Sequence, residues 1–419
     1  MRLALLYYDK FPHSGGIGYV IEGLYRSFKY TGHKLFLFNP NYEAVTAFPI
    51  LKKRYHSRRD LIELFLHPKL IKMFIEYSWK IISNVRLPGS HRLRMLLYLI
   101  LKPDILLNTL KNSIVLIPKL RKLNVDILIG GASDTYTITL INLLSLFLNK
   151  KSVSLAYGND FLVRSRYSLK SYYYQSLNLI FFGTNVLRDL FQKIHHFTDK
   201  SRLKVIPYGL ILKDYKLDIT KNELRKRFNI SSQDFVMLSV GRHVPRKNFD
   251  LVIKALKIIV ESTLIKNIKY YLIGEGPSTP ELKSLVKKLE LNDFVEFLGF
   301  TPREMRNYFY KLSDVLLMPS LVKKESIEGF GIVFIEANFY KIPVIGARTG
   351  GIIEAIIEGE TGLLIKPGDV NDLVEKVTFL YKNPDAALKM GERGHKRVLE
   401  KFDILKNSNI YLKEFLMLM

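Results

Sequence analysis

Glu328-Gly329-Phe330-Gly331-Ile332-Val333-Phe334-Ile335-Glu336 sets two carboxylates at the edges of a glycine-broken loop that runs into an apolar helix. Glycines at 329 and 331 let the backbone bend sharply and come close to a ligand. From Ile332 the run reads as a helix whose first N–H groups attract anions, and a diphosphate suits that end. The two glutamates can accept hydrogen bonds from sugar hydroxyls, one from a transferred hexose and the other from a nucleoside ribose. Taken alone, the segment equally describes an ordinary helix start with a glutamate in its first turn. Its neighbours along the chain decide between the two.

Those neighbours alternate between short apolar runs and helical stretches. In the second half, strands are expected at Phe235 to Val240, Lys269 to Ile273, Val295 to Phe297, Val315 to Met318, Val344 to Gly346 and Gly362 to Ile365. Thr301-Pro302-Arg303-Glu304 carries the signature of a helix start, with a capping threonine, proline at the first helical position and a glutamate to return the cap. The first half opens with a strand, Arg2 to Tyr8, then Ser14-Gly15-Gly16-Ile17-Gly18, a helix from Tyr19 to Tyr30 and a strand from Lys34 to Phe38. Further buried strands are expected at Asp126 to Ile129, Ser152 to Ala156, Asn178 to Phe182 and Lys204 to Ile206. Strands alternating with helices mean parallel sheets, which bind ligands beyond the carboxyl ends of their strands. Pro207-Tyr208-Gly209 punctuates the chain, so the expected division is 1–210, 211–401 and a terminal helix over 402–419 whose own pattern leaves its domain open.

The chain has 419 residues, enough for two cores, and no cysteine, which excludes disulfides, thiolate metal sites and cysteine nucleophiles. The address expected from this is cytoplasmic. Met1 to Tyr8 is too soon interrupted by Asp9 and Lys10 to form a signal peptide. A formal net charge of +25 predicts an anionic partner. Residues 51–125 hold sixteen Lys or Arg against four Asp or Glu, about half of the net charge in under a fifth of the chain. There the basic residues alternate with apolar clusters, none reaching the roughly 18 to 20 residues that span a bilayer. This suits helices lying in an anionic membrane interface on the inner face. It also suits core-facing helices with solvated basic backs. Nucleic acid is not expected as a partner, since no recognisable binding motif accompanies the charge.

Three constellations in the second half converge on phosphate and sugar. In Val240-Gly241-Arg242-His243-Val244-Pro245-Arg246-Lys247-Asn248, a strand end enters a turn with three cations around a proline. Arg242 and Lys247 suit a diphosphate leaving group, one by a forked pair of hydrogen bonds and the other as a point charge. Ile273-Gly274-Glu275-Gly276-Pro277 is a second glycine turn at a strand end, weak by itself. In Arg348-Thr349-Gly350-Gly351 the paired glycines allow close backbone approach, and tight packing is their expected role.

Together these segments resemble the C-terminal half of the family 4 retaining glycosyltransferases (glycosyltransferase group 1). The match is collinear over about 130 residues, through Val295-Glu296-Phe297-Leu298-Gly299, Pro319-Ser320, the glutamate pair, Glu360-Thr361-Gly362-Leu363-Leu364 and Pro367-Gly368-Asp369. In the N-terminal half it is thinner, resting on Gly15-Gly16, Gly32-His33, Tyr157-Gly158-Asn159-Asp160 and Ile206-Pro207-Tyr208-Gly209. The resemblance implies an α/β chain of GT-B architecture, two Rossmann-like parallel-sheet domains facing across a cleft, the first on the acceptor side and the second binding the nucleotide sugar. It implies a hexosyltransferase that moves sugar from a nucleoside-diphosphate donor, UDP-linked in the first instance, to a lipid-linked or membrane-proximal glycan.

Carried over by position, Arg242 and Lys247 hold the donor diphosphate, Glu328 the transferred sugar and Glu336 the ribose. Gly329, Phe330, Gly331 and Ile332 line the donor, Gly274 backs it, and Gly15 and Gly16 face it from the first domain. Tyr157 and Asp160 are the candidate acceptor-side contacts. Tyr157 is also a departure, since many members carry histidine there. A free phenol titrates at about 10 and is a poor base at neutral pH. A front-face reaction, in which the departing diphosphate helps to deprotonate the acceptor, needs cations more than a base. No Asp-x-Asp accompanies the site, so no metal and no cofactor is expected. Two other readings stay open: a catalytically silent sugar-nucleotide or membrane-surface binding subunit, and a sugar-nucleotide epimerase on the same fold.

Overall fold

Short runs rich in Leu, Ile, Val and Phe form the strands, and the central ones, such as Ile127–Gly130 and Val315–Met318, are buried on both faces. The structure is a computed structural model that describes residues 1–7, 16–39, 68–83, 93–95, 103–162, 170–323 and 326–419. Much of the expected basic segment, 51–67, 84–92 and 96–102, and the loop carrying Gly15 lie outside the described residues. The chain divides into two units, residues 1–206 with 408–419, and 207–407.

In the first unit the strands are β1 (Arg2–Leu6), β2 (Lys34–Phe38), β3 (Ile127–Gly130), β4 (Lys151–Ala156), β5 (Leu179–Phe182) and β6 (Leu203–Val205). They pair in parallel in the order β2-β1-β3-β4-β5-β6. Register is set by pairs such as Leu3 with Ile127 and Val153 with Leu179, all fully or almost fully buried. The helix Thr135–Leu148 is apolar nearly all round and packs on this sheet. Asp134 caps it by accepting from the N–H groups of Tyr136 and Thr137 at 2.9 and 3.1 Å. On its outer side lies Pro68–Ile82, held by the Tyr77 hydroxyl, which donates to Asn142 Oδ1 at 2.7 Å.

The second unit holds β7 (Phe235–Val240), β8 (Ile268–Ile273), β9 (Val295–Gly299), β10 (Val315–Met318), β11 (Val344–Ala347) and β12 (Gly362–Ile365). They form a parallel sheet in the order β12-β11-β10-β7-β8-β9. Chain direction across the sheet reverses between β7 and β10, so the loops that leave these two strands diverge and open a crevice at their carboxyl ends. The Gly241–Lys247 turn follows β7, and the Glu328 loop follows β10.

One expected helix start differs. The helix begins at Arg303 with Pro302 before it, and no side chain caps it. Thr301 Oγ1 turns back to donate towards the carbonyls of Leu298 and Gly299 at 3.3 and 3.2 Å. The hydroxyl is thereby drawn to the end of β9, where Gly299 O also accepts from Gly274 N at 2.8 Å, and away from the helix. A full capping box occurs instead at Thr220 and Glu223, whose side chains reciprocally bond each other's backbone N–H at 3.2 and 2.7 Å.

The terminal helix, Ile404–Leu418, belongs to both units along its length. Within the second unit, Leu210 donates to Phe402 O at 2.7 Å and accepts from Ile404 N at 3.1 Å. From Ser408 onward the helix packs in the first unit, where the Phe415 ring centroid lies 6.1 Å from that of Phe28 and 5.8 Å from that of Phe181. Phe415→Ala should therefore cost the first unit about 3 to 5 kcal/mol, as a buried phenylalanine does. Urea unfolding followed by circular dichroism measures this, and a loss below about 1 kcal/mol would show that the helix only rests on the sheet.

Candidate functional site

The loop after β7 is too short to turn its three cations the same way. Its last residues form a single helical turn, Pro245–Lys247, and Asn248 then takes φ 57° before the helix Phe249–Glu261 begins. This turn points Arg246 and Lys247 inward and leaves Arg242 exposed at the strand end. Arg246 Nη1 and Lys247 Nζ both donate to Glu328 Oε2, at 2.5 and 2.6 Å. Ser320 Oγ stands 3.4 Å from the same oxygen. All three charged side chains are under 15% exposed, so the group is a desolvated ion triad rather than a surface bridge.

Burial by itself would raise the Glu328 carboxyl. The charges of Lys247 and Arg246 outweigh that and hold it down to about 2, so it is ionised at any working pH. Its second oxygen, Oε1, takes no part in the triad and retains acceptor capacity.

The glycines around Glu328 divide between turning and packing. Gly331 enters the helix Ile332–Phe339 at φ 85°, a conformation that costs a Cβ-bearing residue about 1 to 2 kcal/mol. Gly351 comes from the loop after β11, where a Cβ would stand 1.9 Å from Gly329 O. Its N–H donates to Glu328 O at 2.8 Å, while Thr349 Oγ1 donates to Ser320 O at 2.7 Å. The Thr349–Gly351 turn thus braces the carboxylate loop from behind. Phe330 is buried in that loop, with ring centroids 5.8 Å from Tyr208 and 5.4 Å from Phe402. Gly329 is buried beside it, and Ile332 is half-buried at the helix start. Gly274 backs Gly241, where a Cβ would lie 2.0 Å from the Gly241 carbonyl oxygen, and the two glycine turns are in backbone contact there.

Glu336 sits apart from the triad and is 3% exposed. Tyr215 OH donates to its Oε1 at 2.7 Å and Tyr310 OH to its Oε2 at 2.6 Å, with Arg306 Nη2 at 3.8 Å. In the first unit Gly16 begins the helix Gly16–Tyr30. Asp160 is a structural acceptor there: its carboxylate receives the N–H groups of Ser133, Tyr157 and Gly158 at 2.8, 3.0 and 2.8 Å. This ties the loop after β3 to the loop after β4 and leaves Tyr157 half-buried beside it.

Arg246, Tyr215 and Tyr310 are the polar partners that the sequence does not single out, and Ser320 enters there only as part of the Pro319-Ser320 match. Arg246 is visible only as one of three cations in a turn. The two tyrosines are far from Glu336 in the chain and carry no local signal. Among the described residues no group of His, Cys, Asp and Glu is arranged to hold a metal ion.

Residues 220–397 match the family model of glycosyl transferases group 1. Among curated relatives, the N-acetyl-alpha-D-glucosaminyl L-malate synthase of Bacillus anthracis is 31% identical over 234 residues, 54% of this chain and 58% of the relative. The GDP-mannose-dependent alpha-(1-6)-phosphatidylinositol monomannoside mannosyltransferase of Mycobacterium tuberculosis is 29% identical over 205 residues, 48% of this chain and 52% of the relative. The chain thus spans about half the length of the curated relatives it matches. Among solved structures, Anabaena Alr3699/HepE in complex with UDP-glucose aligns over all of both chains with a TM-score of 0.70 and 17% identity. WaaG, a glycosyltransferase involved in lipopolysaccharide biosynthesis, aligns over 97% of this chain and 99% of its own with a TM-score of 0.64 and 16% identity. These likenesses show the fold, GT-B with two Rossmann-like parallel-sheet domains.

Two consequences follow from the geometry. Gly351→Ala forces the carboxylate loop to move and should destabilise the second unit by about 1 to 3 kcal/mol, read as a lower urea midpoint; an unchanged midpoint would mean that the brace is dispensable. The Glu328 pKa is depressed from the ordinary 4.5 to about 2, so its stabilising contribution is complete above about pH 4.5 and lost as pH falls towards about 2. The stability gap between wild type and Glu328→Gln should therefore be wider at about pH 6 than at about pH 3, and a gap independent of pH would contradict the pairing.

Proposed function

We propose that this chain is a glycosyl transferase of group 1, the family whose model residues 220–397 match, and that it moves a hexose, with retention of configuration, from a nucleoside-diphosphate sugar to a lipid-linked or membrane-proximal glycan acceptor. The observation that carries this reading is the division of labour on Glu328. One carboxylate oxygen is fixed by two cations, and the other is left to accept from a sugar hydroxyl. A carboxylate so held is oriented without being neutralised, which suits recognition of a neutral hexose next to an anionic leaving group.

In this reading Lys247 and the exposed Arg242 stabilise the charge that develops as the bond from the anomeric carbon to the diphosphate oxygen breaks. Arg246 fixes Glu328. The acceptor hydroxyl forms its bond to the anomeric carbon on the face that the diphosphate leaves, and its proton passes to a departing phosphate oxygen. Catalysis is then electrostatic, and it calls on no metal, no cofactor and no protein base, which accommodates Tyr157 where many members have histidine. Gly329, Gly331 and the start of the helix at Ile332 face the sugar and phosphate with backbone N–H groups. A ribose contact at Glu336 has to be made on a lone pair that the two phenols leave, or in place of one of them.

The relatives' names support a nucleotide-linked donor and, in the mycobacterial mannosyltransferase, a lipid-linked acceptor. Solved neighbours carry UDP, UDP-glucose, or UDP with glucose, which favours UDP as the first donor to try. Tyr157 also favours a second reading, a silent binding subunit, and product formation by the purified chain excludes it.

Purified Lys247→Ala and Glu328→Gln should each lower donor turnover by about 10²- to 10³-fold, the usual cost of removing one electrostatic contact at a reacting centre. Turnover of UDP-hexoses, with and without a lipid-linked glycan, measures this. Near-normal rates in both variants would reject the site.

A further inference from the structure

The helix Pro68–Ile82 has one buried face and one exposed face. Leu70, Tyr77 and Ile81 are buried, and the Lys80 ammonium lies 5.3 Å over the ring of Phe147, on the protein side. Ile71, Ile75, Trp79 and Ile82 recur at helical spacing on the opposite side, and they are 38, 61, 68 and 49% exposed. Four large apolar side chains in one line are not the scattered exposure normal for a protein surface. Lys72 and Lys69, both exposed, run along one flank of the stripe, with a single acid, Glu76, between them on the helix surface.

The chemistry of this face selects its partner. An indole beside branched aliphatics, with lysines at the border, is the composition of a helix lying in the headgroup layer. The charge of +25, about half of it within residues 51–125, draws the chain to an anionic surface and makes a second copy of the same basic face a poor partner. Among the described residues no helix is long and apolar enough to cross a membrane.

We infer that the helix Pro68–Ile82 is the membrane-docking element of this protein, seated on anionic lipid with Ile71, Ile75, Trp79 and Ile82 at the acyl boundary and Lys69 and Lys72 against headgroup phosphates. The inference rests on the membrane-proximal acceptor proposed above. It assigns that proximity to one helix face, and it makes lipid charge a control on how much enzyme reaches its acceptor.

Trp79 is the single tryptophan of the chain, so its fluorescence reports on this face without labelling. Wild-type protein is mixed with phosphatidylcholine vesicles that contain or lack phosphatidylglycerol, and flotation and tryptophan emission are read on the same samples. The expected result is flotation with the anionic vesicles, a shift of emission to shorter wavelength, and reversal of both by salt. Ile71→Asn with Ile75→Asn should cut the bound fraction about tenfold or more, and Lys69→Glu with Lys72→Glu should abolish the preference for anionic lipid. Flotation with unchanged Trp79 emission would overturn the assignment to this helix and leave the membrane-proximal reading standing. Absence of flotation at low salt would overturn both, while donor turnover measured without lipid would still report on the enzyme. A shift of emission that grows with protein concentration in the absence of vesicles, with dimers in sedimentation, would replace the membrane by a second copy.

Discussion

The ion triad of Lys247, Arg246 and Glu328 is the interaction on which the second unit's crevice depends. A parallel sheet whose strand order reverses leaves two loops diverging from adjacent strand ends, with nothing in the sheet itself to hold them at a set separation. Here the loop after β7 supplies two cations and the loop after β10 a carboxylate, and their contacts at 2.5 and 2.6 Å, together with the Leu321 N–H that donates to Arg246 O at 2.8 Å, set that separation. Removing one member of such a buried group leaves unpaired charge, so the triad ties the shape of the crevice to its electrostatics.

Much of the surrounding structure maintains it. Thr349 and Gly351 brace the carboxylate loop through Ser320 O and Glu328 O. Phe330 anchors the same loop on Tyr208 and Phe402, residues close to where the chain enters and leaves the second unit. These contacts, made within the protein itself, offset the cost of ordering a glycine-rich loop.

Carboxylates that look alike in the sequence have different uses in the fold. Glu328 gives one oxygen to two cations and leaves the other outside that pairing. Glu336 receives a phenol on each oxygen, and Asp160 receives three backbone N–H groups that join two loops of the first unit. A buried carboxylate without donors is unaffordable, so those drawn deepest recruit donors from the protein.

Strand positions were legible from sequence because a strand buried on both faces must be apolar along its whole length. Phe235–Val240, Val315–Met318 and Gly362–Ile365 follow directly from that rule. The glutamate pair and the glycine turns were legible too, as short local patterns with fixed spacing. What sequence could not decide was direction. It could not show which of Arg242, Arg246 and Lys247 turns inward, that Thr301 bonds back to β9 instead of capping a helix, that Tyr215 and Tyr310 meet Glu336, or that one helix leaves Trp79 outside. Local spacing specifies where a backbone can bend and what must be buried. The pairing of side chains distant in sequence is decided only when the sheets have formed and each buried polar group must find its partner.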